Sequence, residues 1–343
     1  MSASHDLRLQ ALTQWLDTVG PDRPVGIEPA SADASFRRYF RVRYADGQTL
    51  IAMDAPPAHE DCRPFLHVRA LFAECGAKVP AVHAQDLDRG FLLLSDLGRT
   101  TYLAALATLP ADPLYRAAGA ALVAIQAGSR AGVLPDYDRG RLQAEMDLFP
   151  EWYVGRHLGV SLTDAQHQQL KAVFDRVLAV NLAEARVFVH RDYHSRNLML
   201  GTGSSAAEGA PPGILDFQDA VYGPVSYDLV SLLKDAYVDW DEEQVLDWLI
   251  RYWELARRRG VPVPADFARF HEDFEWMGVQ RHLKVLGIFA RLYHRDGKDG
   301  YLADMPRVES YLYRTCRRYR ELMPLAVLLD ELANRRAQAG YTF

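Results

Sequence analysis

The chain has 343 residues, of which 49% are hydrophobic and 24% charged, a composition typical of a soluble globular protein with a sizeable core. Its 39 basic and 45 acidic residues leave a net charge of -6, which indicates no surface for nucleic acid or an anionic membrane. No apolar stretch approaches the roughly 20 residues of a membrane span, and the three cysteines show no CxxC spacing. We therefore expect a cytoplasmic monomer that acts on a small molecule.

Residues 1–97 are predicted to form a small lobe, mostly antiparallel sheet. Apolar residues recur at near-helical spacing over 6–19, which predicts an opening helix and not a signal peptide. Two β-rich runs within 36–56 meet at Asp46-Gly47, a dipeptide suited to a tight hairpin. A helix over 62–75 and two more strand-like runs, AVHAQ and FLLLS, complete this lobe.

Residues 98–343 are predicted to form a larger, mainly helical lobe, which makes the fold class α+β. Apolar periodicity indicates helices over 100–130, 141–158, 163–183 and 226–338. Two strand-like regions interrupt them, VFVH to NLML and then GILDF after the connection GTGSSAAEGAPPG. The polar motifs lie in these two regions.

The stretch VHRDYHSRNLML places Asp192 and Asn197 in the spacing H-R-D-x-x-x-x-N, which is typical of the catalytic loop of protein kinases. An Asp there can accept the proton of an attacking hydroxyl, and an Asn can bind Mg2+ without adding charge beside phosphates. Further along, Asp216 ends the apolar run of GILDF, where a carboxylate can hold the same metal. This ordered triple predicts phosphoryl transfer from ATP with Mg2+; solvated loop residues are the alternative.

The two motif regions resemble those of the aminoglycoside phosphotransferase and choline kinase family, the small-molecule branch of the protein-kinase-like two-lobe fold. The resemblance rests on VHRDYHSRNLML and GILDFQDAVYGPVSYDLVSLL, and it covers most of the chain. It implies that Asp192 is the catalytic base and that Asn197 and Asp216 are the magnesium ligands. It also implies that Asp228 is structural and anchors the loop from a helix N-terminus.

The resemblance further implies a nucleotide site in the first lobe. FLLLSDLG is similar to the family's hinge, whose backbone at Ser95, Asp96 and Leu97 would bind adenine. The chain has no G-x-G-x-x-G loop, and SADASFRRYF offers backbone amides and the hydroxyls of Ser31 and Ser35 to cover phosphates instead.

The lysine that kinases use to bind phosphates is missing from its expected place. Met53 occupies that place in TLIAMDAP, the sole lysine before residue 171 is Lys78, and the helix over 62–75 lacks the partner glutamate at the expected position. We expect a nearby arginine to replace the lysine, and the candidates are Arg37, Arg38 and Arg41. The alternative is that these arginines lie on a solvated face of the sheet.

Three long stretches are similar to one subgroup, the kinases that phosphorylate N-acetylmuramate and N-acetylglucosamine at the anomeric C1 hydroxyl in peptidoglycan recycling. They are SADASFRRYFRV, LFPEWYVGRHLG and QRHLKVLGIFARLYHRDGKDGYLADMPR. An N-acetyl sugar needs hydrogen-bonding groups and an apolar wall, and the lactyl carboxylate of N-acetylmuramate needs a cation. The candidates for these contacts are Glu145, Trp152, Tyr153, His194, Arg196, Gln280, Arg281 and Lys284.

Purely structural interpretations of these acceptor candidates stay open. Gln280, Arg281 and Lys284 would lie on the outer face of an ordinary amphipathic helix, and Trp152 and Tyr153 would belong to the core. Two other functions also stay open. One is a kinase for another small alcohol or for an aminoglycoside, and a polycationic aminoglycoside would want an acidic pocket. The other is a catalytically silent nucleotide-binding protein, which would explain the missing lysine.

Overall fold

The computed structural model describes residues 6–32, 36–201 and 209–340. Its first lobe is a five-stranded antiparallel sheet in the order β1-β2-β3-β5-β4. The strands are β1 (Gly26–Ala32), β2 (Arg38–Arg43), β3 (Thr49–Asp54), β4 (Val82–Asp86) and β5 (Phe91–Ser95). The sequence predicted four of them and missed β1, because GIEPASA lacks a run of β-forming residues. Pro29 is tolerated there since β1 is an edge strand with an irregular register beside it.

Helices cover both faces of this sheet. Helix α1 (Leu7–Val19) begins at Asp6, whose carboxylate accepts the Leu9 N–H, and it buries Trp15 against one face. Helix α2 (Cys62–Glu74) packs on the other face, where the buried side chains belong to the main core. Alternate residues of β5 therefore serve different cores, and its run FLLLS is apolar on both sides.

The second lobe is mainly helical, as predicted. Its helices are α3 (Tyr102–Ala105), α4 (Ala111–Ala127), α5 (Arg139–Met146), α6 (Asp164–Asn181), α7 (Tyr227–Leu233), α8 (Glu242–Arg258), α9 (Phe267–Asp296), α10 (Met305–Arg318) and α11 (Met323–Gly340), with 3-10 turns at Asp299–Asp304 and Arg320–Leu322. The single helix predicted over 141–158 is divided, because Phe149–His157 forms a separate π-helix with Pro150 at its start. No helix in the described ranges combines the length and apolar character needed to cross a membrane.

Two short antiparallel sheets position the motifs within this lobe. Strand β6 (Arg186–Val189) pairs with β9 (Val221–Pro224), and β7 (Leu198–Met199) pairs with β8 (Gly213–Ile214). Strand β9 was missed because VYGP is short and ends in proline. The loop of residues 190–197 runs from β6 to β7, and Asp216 lies just beyond β8. The α+β prediction is confirmed, while the lobe boundary between residues 97 and 98 stays a prediction.

Candidate active site

The loop of residues 190–197 is held by a buried carboxylate on α7. The backbone N–H groups of His190 and Arg191 donate to Asp228, at 2.6 and 2.9 Å. Asp228 lies in the first turn of α7 and is fully buried. The anchoring role implied by the sequence resemblance thus has a direct geometric basis, since one carboxylate fixes two consecutive peptide units.

A second contact fixes the orientation of His190. Its Nδ1 accepts the Asp192 N–H at 3.2 Å, so the neutral ring carries its proton on Nε2, which lies 2.9 Å from the Leu215 carbonyl oxygen. Burial lowers the pKa of His190, which favours this neutral form. His190 therefore joins the loop to the segment that leads to Asp216, and it is a structural group.

The backbone is strained at two points of this assembly. Among the described residues, Arg191 and Asp216 are the two non-glycine residues with positive φ, at 80° and 62°. Such angles are uncommon for residues with a side chain and occur often at functional sites. Asp192 directly follows Arg191 in the loop, and Asp216 lines the cavity between the lobes.

The Asp192 carboxylate is surrounded by positive charge. Its side chain is 41% exposed, and its Oδ1 lies 3.9 Å from an Arg281 nitrogen. Burial by itself would raise the pKa of Asp192, but the attraction of Lys284 and Arg281 outweighs burial and holds this pKa below its ordinary value. Asp192 is therefore ionised at neutral pH and can accept a hydrogen bond from a hydroxyl group.

Asn197 and Asp216 meet at the floor of the cleft. The Asn197 Nδ2 lies 2.9 Å from the Asp192 carbonyl oxygen and 3.4 Å from Asp216 Oδ2, while Gln218 Nε2 donates to Asp216 Oδ1 at 2.7 Å. In the described ranges, no cluster of three or more His, Cys, Asp or Glu side chains is placed to hold a metal ion. One carboxylate and one amide nevertheless fit Mg2+, which takes most of its remaining ligands from water and phosphate.

A cavity of about 350 Å³ lies between the lobes above this pair. Its walls are largely apolar, and its lining includes Ile51, Leu94, Met199 and Phe217 as well as the predicted hinge residues Ser95, Asp96 and Leu97. The Ser95 hydroxyl accepts the Ala81 N–H at 2.9 Å. The size and the apolar walls suit a planar aromatic group, with Asn197 and Asp216 at the polar end.

The three candidate arginines have different partners. Arg41 is buried and pairs with Asp96 at 2.5 Å and with the Gly98 carbonyl at 2.8 Å, so it stabilises the predicted hinge. Arg38 contacts Asp54 on the sheet at 2.5 Å. Of the three, Arg37 is the one that reaches Asp216, whose Oδ1 lies 3.9 Å from the Arg37 guanidinium.

The alternative of a solvated sheet face is wrong for Arg37 and Arg41, whose side chains are largely buried.

The side chains of the two predicted serines are not among those that the structure describes. Ser35 lies outside the described residues, and for Ser31 the structure describes the backbone within β1 and not the side chain.

Glu145 is the centre of a buried network beneath the loop. Its carboxylate contacts Arg191 at 2.5 Å and Lys284 at 3.1 Å, and it accepts hydrogen bonds from Gln280 at 3.1 Å and from Tyr137. Lys284 also donates to the Tyr227 hydroxyl at 2.8 Å. The interpretation of α9 as an amphipathic helix with a basic outer face is wrong, because Gln280, Arg281 and Lys284 are all buried.

The other acceptor candidates fall into two groups. Tyr153 is buried, stacks on Phe149 and donates to Glu309 at 2.5 Å, while Trp152 packs against the core. Arg196 and His194, by contrast, lie along the loop beside one aromatic ring. The Arg196 guanidinium is 4.0 Å from the centroid of Tyr237, and His194 meets the same ring edge-on.

Two residues that follow α7 and hold the loop in place were not predicted. Asp235 accepts both the N–H and the hydroxyl of Ser195, at 3.0 and 2.5 Å. Tyr237 follows it in sequence and stacks with Arg196. No local pattern marks these residues, because their partners lie about 40 positions earlier in the chain.

Comparison with known proteins agrees with this geometry. A sequence model described as the phosphotransferase enzyme family matches residues 26–261. The chain is 50% identical over 337 residues to the N-acetylmuramate/N-acetylglucosamine kinase of Neisseria meningitidis serogroup B, covering 97% of this chain and 98% of that protein. It is 49% identical to the protein of the same name from Pseudomonas aeruginosa, covering 96% and 98%.

Solved structures share the fold at low identity. The choline kinase of Streptococcus pneumoniae superimposes with a TM-score of 0.62 at 12% identity, covering 89% of this chain and 98% of that one. The architecture is thus the two-lobed, protein-kinase-like one. The chain belongs to the phosphotransferase enzyme family, whose sequence model matches more than half of its length. The resemblance that the motifs indicated is confirmed.

Proposed function

We propose that the protein transfers the γ-phosphoryl group of ATP to the anomeric C1 hydroxyl of N-acetylmuramate or N-acetylglucosamine, a reaction of peptidoglycan recycling. The observation that carries the reaction type is the ionised Asp192 beside the pair Asn197 and Asp216 at the floor of the cleft. The identity of 49 to 50% over almost the whole chain to kinases of that name supports the choice of sugar.

Asp192 acts on the acceptor hydroxyl. Its carboxylate accepts a hydrogen bond from the hydroxyl and directs the oxygen at the γ-phosphorus. It takes the proton as the new O–P bond forms and the bond from the γ-phosphorus to the bridging oxygen breaks, which releases ADP. An anomeric hydroxyl is more acidic than an ordinary alcohol, which narrows the difference in pKa across which the Asp192 carboxylate accepts the proton. Asn197 and Asp216 would hold Mg2+, which supplies neutralisation of the charge on the phosphate oxygens.

The nucleotide occupies the cavity between the lobes. Adenine lies against the hinge backbone at Ser95, Asp96 and Leu97, and the Arg41–Asp96 pair holds that hinge in place. Arg37 supplies the cation that the missing lysine supplies in other kinases, because its guanidinium lies beside Asp216. Backbone and hydroxyl groups at Ser31 and Ser35 remain our candidates for further phosphate contacts.

The acceptor lies next to Asp192. Arg281 contacts both Asp192 and the Arg191 carbonyl oxygen, so it places a positive charge beside the reacting group. We infer that Arg196 and His194, which lie beside the Tyr237 ring, meet the transferred phosphate or the lactyl carboxylate.

The remaining acceptor candidates act less directly. Glu145, Gln280 and Lys284 hold the loop from beneath, because their charged and polar groups are paired with one another. Trp152 and Tyr153 support the wall of the site through the core. The surplus of cations near Asp192 disfavours a polycationic aminoglycoside as the acceptor.

The test is an ADP-release assay with ATP and Mg2+ in which the acceptor is varied among N-acetylmuramate, N-acetylglucosamine, glucose, choline and kanamycin. We expect turnover that depends on either N-acetyl sugar and falls by about 100-fold or more in Asp192→Asn. Asp219→Asn, which alters an exposed carboxylate three residues beyond Asp216, is the matched control and should retain activity. Nucleotide binding without turnover on any acceptor would instead favour the silent nucleotide-binding protein. The cytoplasmic location and the monomeric state stay predictions.

A further inference from the structure

Glu60 lies beside Arg37, the arginine that reaches Asp216. Its Oε1 accepts the Phe36 N–H at 3.2 Å, and its Oε2 lies 3.8 Å from Arg37 Nε. The side chains of Arg37 and Glu60 are 11% and 20% exposed. One carboxylate thus contacts both the backbone and the side chain of the segment that carries the candidate phosphate-binding cation.

The neighbouring residues reinforce this contact. The ring of Phe36 stacks on that of His59, with centroids 4.5 Å apart. The N–H groups of His59 and Glu60 both donate to the Pro56 carbonyl oxygen at 2.9 Å, so the turn that carries Glu60 is itself fixed. Residues 36 and 37 therefore contact residues 59 and 60 at two adjacent points, the ring stack of Phe36 with His59 and the ion pair of Arg37 with Glu60.

The positions where a kinase glutamate is expected on the helix after β3 are used otherwise here. Phe65 is buried and lines the nucleotide cavity. Glu74, near the end of α2, forms an exposed ion pair with Arg130 at 2.7 Å. Glu60 precedes the helix cap Asp61, so it reaches the cleft from a different point in the chain.

The geometry points to Glu60 as the positioning residue for Arg37: the Glu60 carboxylate holds the guanidinium in the cleft with one edge toward Asp216. This inference rests on the proposed role of Arg37 in nucleotide binding. Arg37 lies between two carboxylates, Glu60 at 3.8 Å and Asp216 at 3.9 Å. Without the negative charge of Glu60, the attraction of the Arg37 guanidinium to Asp216 would be less opposed. Arg37 would then pair with the Asp216 carboxylate, which is needed to bind the metal.

The variant Glu60→Gln tests this inference because the Gln oxygen can still accept the Phe36 N–H while the negative charge is lost. We expect the KM for ATP and the dissociation constant of ADP, measured by calorimetry without sugar, to rise about three- to five-fold. The KM for the sugar should be unchanged. Glu74→Gln removes the surface pair with Arg130 and is the matched control, for which no change in nucleotide affinity is expected.

A double-mutant cycle separates positioning from general damage. In the background of Arg37→Met, Glu60→Gln should have no further effect on ADP affinity, since the group that it positions is gone. Equal effects in both backgrounds, or a rise in the sugar KM alone, would overturn the inference. Because the calorimetry needs no acceptor, it tests Glu60 even if neither sugar supports turnover and the proposed acceptor is wrong.

Discussion

Replacing Glu145 by glutamine should destabilise the protein, because its carboxylate is the shared anion of the network under the loop of residues 190–197. The side chain is 12% exposed and contacts Arg191, Lys284 and Gln280 at 2.5 to 3.1 Å. The substitution keeps the size and shape of the side chain. Its effect therefore reports the loss of charge and not the loss of packing.

The magnitude follows from the pKa of Glu145, which lies at about 2 instead of its usual 4.5. Burial by itself would raise this pKa, but Lys284 and Arg191 outweigh burial. One pH unit corresponds to about 1.4 kcal/mol, so the ionised carboxylate contributes about 3 kcal/mol to the free energy of unfolding at pH 7. Because the folded pKa is the lower one, this contribution is complete above about pH 5 and is lost as the pH falls through 4.5 toward 2.

Urea unfolding of the wild type and of Glu145→Gln at pH 7, 5 and 4 measures this contribution. The difference between their free energies of unfolding should be about 3 kcal/mol at pH 7 and pH 5, and about a quarter smaller at pH 4. Glu151→Gln, an exposed position in the neighbouring π-helix, is the control and should leave the stability unchanged. A Glu145→Gln protein as stable as this control, or a difference that grows as the pH falls, would refute the reasoning.

The other predictions concern Asp192 and Asp228. Cations hold the pKa of Asp192 below its ordinary value of 3.8, so kcat should stay level from pH 8 to about pH 5. In Arg281→Met the pKa should rise and kcat should begin to fall at a higher pH; identical pH profiles would contradict this role of Arg281. Asp228→Asn leaves one of two backbone N–H groups without its acceptor, which should lower kcat and cost about 1 to 3 kcal/mol in unfolding experiments. A normal kcat in that variant would show that the loop keeps its shape without the carboxylate.

The sequence predicted the elements that show a long run of regular apolar spacing or a strongly apolar composition. The opening helix, the hairpin of β2 and β3 and the apolar strand β5 lie where local spacing indicated them. It missed β1 and β9, which are short or interrupted by proline, and it joined α5 to the π-helix that follows. Strand β9 is held by pairing with β6, which lies more than 30 positions earlier, and local periodicity does not record that pairing. Strand β1 pairs with the neighbouring β2, but its own residues, which include Pro29, are not β-forming.

The sequence motifs likewise predicted the central residues of the candidate site. The spacing of Asp192 and Asn197 along one tight loop, followed by Asp216 after an apolar strand, identified the reaction type and the family before any contact was known. Asp192 and Asn197 are close in sequence, and Asn197 and Asp216 flank the paired strands β7 and β8. Their proximity is therefore readable from the chain itself.

The tertiary structure alone decided what each charged group contacts. Arg37, Arg38 and Arg41 look alike in sequence, yet Arg41 pairs with Asp96, Arg38 with Asp54, and Arg37 with Glu60 and Asp216. Glu145 and Lys284, predicted to line the acceptor pocket, are instead paired beneath the loop. The partners in these pairs lie from 16 to 179 positions apart, and a charge is stabilised by whichever opposite charge the fold brings near it. Composition and spacing predict that such groups exist, but only the folded chain selects their partners.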